Sequence, residues 1–543
     1  MSREPFRIDE ERLADFLCRF TLDAVTQLDR STSTALAAIR EWKNSFTPIN
    51  RIPLDVLSLI PTHLSSQEDR FRATFVCRHW RRTFLQHGTL WSQVSFQNGE
   101  AYMKILLERA KGAALDVSIG EDVPATSMAV LSPHVQQIKY LEFNLTRWKD
   151  IRKFSEVNSG PLPLLHTLTI FPEDRKGPVA VSPPSHLFSN ATNLEEFTFN
   201  SFRSPSLNHF VFPRLTTFRM RILEVTRTGA SELFDFLKAS PTLRTVDIRI
   251  IDIVLEGIPR QTVVVLPDVE TFSLTSGGMV YDVAAHISCP HANNTTLIHK
   301  MLDLDMAPGQ KIFPTSVSLN TIIHQYTRTP VEEVTLEMKQ IFDPCSLTFQ
   351  SPGTNTIRFL FHALDISDQE YETADEIAFE AFSQGLDVIQ VHPQLSHVKR
   401  LHIGYPTSMD ASQIMDVTPQ LGVLFGSLGP LDRFTIGGDL IPYFGGFGGY
   451  EGLAPFADRI VFPPIKELTI LHPVTLKPGE WDYMGAIVGL AKSQHANGMP
   501  FERVTVRTSM LEMVEGLAQR LRQWVGTADC CWEDSVTEAY QDL

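Results

Sequence analysis

Three groups of side chains in this 543-residue sequence are of types that could do chemistry. His286, Cys289 and His291 offer imidazole and thiol donors of the kind that bind zinc. No fourth ligand stands at zinc-site spacing, so the trio reads as a structural cluster. The run Gly445-Gly446-Phe447-Gly448-Gly449 has the backbone freedom to wrap a phosphate. It lacks GxGxxG spacing, no Lys-Ser/Thr pair follows, and it runs into Pro455, so it reads as a loop. Cys530-Cys531 is a vicinal pair, read as two buried or half-exposed thiols and not as a redox site. There is no GxSxG elbow and no HExxH motif, and the histidines are scattered. The expectation is a protein with no catalytic, metal or cofactor-binding residues, one that works by binding.

The elements that would position a binding surface must come from a long chain. It exceeds the roughly 250–300 residues at which one hydrophobic core stops growing, so it is several domains or a repeat array. Hydrophobic residues make up 43% and charged residues 20%, as in an ordinary folded protein. A net charge of −15 excludes a uniform basic footprint for nucleic acid. One stretch opposes the trend: Ile49 to Phe96 holds six Arg against three acids. None of the six cysteines forms a CxxC pair, and no disulfide framework is suggested. The charged N-terminal MSREPFRIDEERL does not read as a secretory signal, and no run of 18 apolar residues suggests a membrane span. A cytoplasmic or nuclear setting, without membrane contact, is expected.

Leu13, Phe16, Leu17, Phe20 and Ala24 follow the i, i+3, i+4, i+7 spacing of one helix face. A polar break at Asp29–Thr34 precedes a second short helix with Leu36, Ile39 and Trp42, closed by Pro48. Residues 1–47 therefore read as a helical hairpin and not as a coiled coil. From Ile49 to Trp91 the pattern predicts three short helices. Pro53 suits a first helical turn, and Val56, Leu57 and Ile60 follow it. Leu64 and a polar turn come next, then a second stripe of Phe71, Phe75, Val76 and Trp80 opposite Arg78, Arg81 and Arg82. So short a segment cannot bury all this apolar surface by itself.

This stretch, residues 48–96, resembles an F-box, the helical module written approximately LPxEhLxxIhxxL…VCxxWRxh…LW. Ile52-Pro53 stands for Leu-Pro and Asp55 for the usual Glu. Val76-Cys77, Trp80-Arg81 and Leu90-Trp91 match the most diagnostic positions. Arg70-Phe71 departs from the usual Leu. The lead-in is similar to large fungal families of F-box proteins. The resemblance implies docking onto a Skp-family adaptor, and through it onto a cullin–RING ubiquitin ligase. The residues it assigns to that contact are Ile52, Pro53, Val56, Leu57, Ile60, Leu64, Phe71, Val76, Cys77 and Trp80. Leu57 and Trp80 are expected to matter most, with Trp80 as an internal core residue the competing reading.

Beyond residue 97 an apolar-x-x-apolar-x-apolar unit recurs. Leu165-Leu168-Ile170, Leu194-Phe197-Phe199, Leu215-Phe218-Met220, Leu243-Val246-Ile248 and Val269-Phe272-Leu274 are consecutive examples. Thirteen units run from Ile138 to Phe501, about 30 residues apart, the spacing of leucine-rich repeats and related solenoids. Those at His299-Leu302-Leu304 and Phe361-Leu364-Ile366 are the weakest. The middle residue of the last pair is always polar, as a half-buried strand requires. Helical stripes lie between units, for instance Met103-Leu106-Leu107-Ala110 and Phe382-Leu386-Ile389. The expected class is α/β: an all-helical F-box, then an irregular right-handed solenoid over 97–543 that resembles leucine-rich repeats, with a parallel sheet on its concave face. The usual Asn ladder is missing. Arg219, Asp247, Asp303, Asp365 and His402 are candidate target contacts on that face; the other polar middle residues read as solvated strand positions.

The reading that follows is a substrate receptor of an SCF-type ubiquitin ligase. A cullin-independent scaffold or plain solenoid binding module is the alternative. An unrecognised enzyme with its site in a loop such as Gly445–Gly449 is the second.

Overall fold

The computed structural model describes residues 12, 14–15, 18–19, 21–64, 66–144, 148–158, 160–172, 188, 191–203, 207, 210–255, 263–277, 279–301, 322–323, 325–326, 330–337, 345–352, 356–363, 371–390, 395–404, 411–437, 463–471, 483–508 and 511–532. The chain divides into two units, Met1–Leu141 and Glu142–Leu543.

The first unit is mainly helical. It contains α1 (Leu22–Ser45), α2 (Leu54–Leu59), α3 (Gln67–Ala73), α4 (Arg78–Gln86) and α5 (Glu100–Ala110). Two short strands, β1 (Gln93–Ser95) and β2 (Leu115–Ile119), pair in parallel. The expected break at Asp29–Thr34 does not occur, and α1 runs through it as one helix. The hydroxyls of Thr26, Thr32 and Thr34 donate to the carbonyls of Leu22, Leu28 and Arg30, so these polar side chains bond within the helix instead of ending it. Thr21 caps the start by accepting from the Ala24 amide, and no residue of α1 is buried. Leu13, Phe16, Leu17 and Phe20 lie outside the described residues.

Strand β3 (Ile138–Asn144) spans the division between the units. The strands that follow are β4 (Thr167–Phe171), β5 (Glu196–Arg203), β6 (Thr217–Val225), β7 (Thr245–Ile253), β8 (Val264–Val265), β9 (Thr271–Ser276), β10 (Ile287–Ser288) and β11 (Asn294–Met301). Then come β12 (Glu333–Glu337), β13 (Cys345–Gln350), β14 (Thr356–Ala363), β15 (Arg400–Gly404), β16 (Leu431–Gly437), β17 (Ile465–Leu471), β18 (Arg503–Thr508) and β19 (Thr527–Trp532). Apart from the small β8–β10 pair, β4 to β19 form one large and mostly parallel sheet.

The repeat unit is the register of that sheet. Leu168, Phe197, Phe218, Val246 and Phe272 are successive partners across β4, β5, β6, β7 and β9. Ile170, Phe199, Met220, Ile248 and Leu274 form the next buried row, and the polar middle residues alternate to the other face. Aromatic rings fill the space behind these rows; Phe218 and Phe236 of the Arg227–Lys238 helix have centroids 4.8 Å apart. Several strands are also bracketed where they begin. The carbonyl of Glu195 accepts from the amides of both Thr216 and Thr217, and that of Thr216 from Arg244 and Thr245. The predicted helix stripes are seated as expected: Met103, Leu106, Leu107 and Ala110 are buried, as are Phe382, Leu386 and Ile389.

Two units are displaced from their predicted positions. In β11 the buried row is held by Thr295 and Leu297, and in β14 by Ile357 and Phe359. The polar residues between them are Thr296 and Arg358. A buried threonine takes the apolar place at 295, which is why an apolar template slips past it. Leu302, Asp303, Leu304, Leu364, Asp365 and Ile366 lie outside the described residues. Strand β13, which no unit anticipated, pairs antiparallel with β12 on one side and β14 on the other. The spatial order there is β11-β14-β13-β12-β15, so three strands run in reverse sequence order. After them the parallel register resumes from β15 to β19.

Candidate docking surface

The short helices of the first unit are fixed by local chemistry. Ser66 caps α3: its hydroxyl accepts from the Asp69 amide at 3.0 Å and donates to the Asp69 carboxylate at 2.7 Å, a reciprocal capping arrangement. Trp80 in α4 donates its indole N–H to the Asn50 side-chain oxygen at 3.0 Å, and the Cys77 thiol donates to the same oxygen at 3.8 Å. The Asn50 amide nitrogen donates to the Asn44 carbonyl and the Thr47 hydroxyl. Asn50 thereby ties the end of α1 to α4. Arg78 reaches Glu41 of α1 at 3.7 Å.

A second cluster seals the far end. Phe71 lies 4.9 Å from Trp91 and 5.1 Å from Tyr102, with the Arg109 guanidinium about equally close to the Phe71 and Trp91 rings. Burial, with Arg81 nearby, lowers the pKa of Arg109 from its ordinary value. Gly88 is required here, because a Cβ on it would stand 2.1 Å from the Ala110 carbonyl oxygen. The α5 helix therefore lies against the last turn of the segment and covers Leu90 and Trp91, both buried.

Other apolar side chains of the segment are left open. Leu54, Val56, Leu59, Phe75 and Val76 are 46 to 70% exposed. The Arg81 guanidinium lies over the Phe75 ring, 5.2 Å from its centroid. Beside Val76, Cys77 and Arg78, a groove of about 590 Å³ is bounded by Ala37, Arg40 and Glu41 of α1.

Of the ten residues assigned to docking by sequence, Pro53, Val56 and Val76 are exposed. Ile52, Ile60, Leu64 and Cys77 are half-buried. Leu57 is fully buried, where α2 packs on α4, and so is an internal residue. Phe71 and Trp80 are held within the unit by the contacts above. Leu54, Leu59 and Phe75 are the exposed residues that sequence reasoning left out. Their signal was present: Leu54, Val56, Leu57, Leu59 and Ile60 surround α2 with apolar side chains, and a helix apolar all round has to be covered on every side.

The polar face of the sheet forms a second surface. On β12 and from β15 to β19 several of its charges are matched across strands. Arg400 binds Glu333 at 2.8 Å, Arg433 binds Glu467 at 2.9 Å, and Arg503 lies between Glu467 and Asp529 at 3.8 and 3.5 Å. A parallel set of pairs runs where the strands begin, Lys399 to Glu332 at 3.0 Å and Lys466 to Asp432 at 2.6 Å. The Lys466 hydrogen bond holds the Asp432 carboxyl below its ordinary range and raises Lys466 in return. His402 is buried in a cleft of about 170 Å³ with Glu337, Arg433 and Thr435. Gly404 makes room for it, since a Cβ there would meet the imidazole Nε2 at 3.0 Å. Arg219 is exposed on β6, and Asp247 on β7 binds Arg249 at 3.1 Å.

Cys289 is buried among apolar groups, which pushes its thiol well above the ordinary range and against thiolate ligation. His286 packs against Phe234, and His291 is exposed. Among the described residues no group of His, Cys, Asp and Glu could hold a metal ion, and no helix is long and apolar enough to cross a membrane. The Gly445–Gly449 run lies outside the described residues, and the side chains of Cys530 and Cys531 are not described.

The family model for F-box-like domains matches residues 49–97, the span that holds α2, α3, α4 and the exposed apolar side chains. The chain thus carries an F-box-like domain. Comparison of the sequence with curated proteins gave no match.

Proposed function

We propose that this protein is the substrate-recognition adaptor of an SCF-type cullin–RING ubiquitin ligase, acting in the cytoplasm or the nucleus. The F-box-like domain would dock on a Skp-family adaptor, and the sheet unit would hold the target. The observation that carries this reading is the exposure of the apolar side chains Leu54, Val56, Leu59, Phe75 and Val76 on a domain of this family. Covering such a side chain gains about 1.5–3 kcal/mol, so five together are of the order of the cost of association. The excess of Arg over acids in the same segment favours an acidic partner surface.

The second unit suits a platform role. Its strands recur about every 30 residues in parallel register, which supports an irregular solenoid resembling leucine-rich repeats, with the polar sheet face turned to the target. Such a receptor makes no bonds itself. It raises the local concentration of target lysines at the ubiquitin-charged enzyme.

Co-expression of the full chain with a Skp-family adaptor tests the docking step. The wild type should co-purify, and Phe75→Glu with Val76→Glu should lose at least about tenfold in affinity while keeping its melting temperature, since both side chains are exposed. Equal recovery of the adaptor by wild type and double variant would sink the assignment of this face.

A further inference from the structure

The polar face of the sheet treats its arginines in two ways. On β15, β16 and β18, Arg400, Arg433 and Arg503 each have a carboxylate on a neighbouring strand. On β6 and β7 the match is incomplete: Asp247 stands opposite Arg219 but binds Arg249 of its own strand. Arg221 is the direct cross-strand partner of Arg249, and like charges directly opposite one another are unfavourable. The residue opposite Arg221 on its other side, on β5, is Asn200, so no acid answers it there. Arg219 and Arg221 are exposed and make no ion pair or hydrogen bond among the described residues. Among the described residues Arg249 shares only Asp247, two residues away on its own strand. Three guanidiniums and one carboxylate leave a local excess of two positive charges, in a chain whose total is −15.

We propose that this patch, centred on Arg219, Arg221 and Arg249, is an anion-recognition site for a doubly charged acidic segment of a protein partner, either two neighbouring carboxylates or one phosphorylated side chain. The guanidinium fork binds carboxylate and phosphate oxygens in pairs, and a ligand with two negative charges matches the excess. Asn200 adds a neutral amide beside Arg221. The next residue along the same face is Leu223, which is 39% exposed. An apolar contact two residues from the charges suits a polypeptide with a hydrophobic side chain after its acids, and does not suit a nucleic-acid backbone. The site deepens the adaptor reading, on which its role in target capture rests, but the binding itself is independent of adaptor docking.

The test uses the full chain and three fluorescein-labelled peptides differing at one place before a leucine: Glu-Glu, phosphoserine-Gly, or Gln-Gln. One or both anionic peptides should bind more tightly than the glutamine peptide, and more weakly as salt is raised. Preference for Glu-Glu or phosphoserine identifies the source of the charge. Arg221→Gln and Arg249→Gln should each weaken the preferred peptide by about tenfold, the order expected for a lost charge-assisted contact. Arg503→Gln, on the matched stretch, should change it by less than about twofold. Arg221→Gln should also leave the melting temperature equal or slightly higher, because it removes a like-charge opposition. Equal binding of all three peptides, an unchanged affinity in Arg221→Gln, or a tighter hold on duplex DNA than on either anionic peptide would overturn the proposal. Adaptor co-purification on the same preparations separates the two readings. Peptide failure with adaptor recovery removes only this site, and the reverse removes only the docking assignment.

Discussion

Helix α2 and strand β6 are built from similar residues and place them differently. In β6, Phe218, Met220, Ile222 and Val225 are all buried, while Arg219, Arg221 and Leu223 alternate to the open face. In α2 only Leu57 is buried, and Leu54, Val56 and Leu59 stand in water. The strand has neighbouring strands on both edges and the chain's own side chains behind its apolar face. The helix is apolar on more sides than its own unit covers. Apolar composition is thus a demand for cover, and the structure shows which part of that demand the chain meets by itself.

The sharpest way to break this contrast is truncation on each side of it. Phe218→Ala should cost about 3–5 kcal/mol and Leu57→Ala about 2–5 kcal/mol in denaturant unfolding, as large-to-small changes at buried sites do. Val56→Ala, next to Leu57 but exposed, should stay within about 0.5 kcal/mol. Equal losses at 56 and 57 would mean that α2 is covered on both sides in solution. A smaller effect tests how far Trp80 is internal. Trp80→Phe keeps most of the ring contact with Phe84 but gives up the bond to Asn50, so about 0.5–1.5 kcal/mol should be lost. Adaptor affinity that falls at unchanged stability would instead put Trp80 on the docking face.

The smallest effect is expected from the matched charges of the sheet. The Asp432 carboxyl is lowered in the folded chain, chiefly by its hydrogen bond from Lys466. Its contribution is therefore present above the unfolded aspartate value and is lost as pH falls through the folded one. Asp432→Asn should narrow the difference in melting temperature between neutral and acid solution only slightly, because exposed pairs contribute little. A large change would show that these pairs, and not the buried rows, hold the strands in register.

The rows of the sheet were legible because a two-residue alternation beside a recurring third apolar position leaves a trace that survives variable spacing. Leu168, Phe197, Phe218, Val246 and Phe272 could be aligned before any pairing was known. Thr295 was missed because burial there falls on a polar side chain. Strand β13 was missed because Leu347 and Phe349 alternate correctly but stand outside the three-position template. In the F-box-like segment the family was legible from Val76, Cys77, Trp80 and Leu90-Trp91, whereas the buried side of α2 was not. Over six residues a helix makes fewer than two turns, and Val56 and Leu57 are then equivalent by pattern. Asn50 carries no pattern at all, since its importance comes from four partners brought together by folding.

The reversed block β14-β13-β12 also bears on how the protein is made. Where strands follow their sequence order, as from β6 to β7, the next partner leaves the ribosome within about 30 residues. After β11 the next partner on its open side is β14, and Thr356 pairs with Asn294 from about 60 residues further on. At roughly 5–20 residues per second, the edge of β11 waits about 3–12 s for that strand. An unpaired edge is a template for another chain, so nascent chains held just beyond β11 should be the species that chaperones retain most, and ribosome-bound intermediates stalled before and after β14 would show the difference.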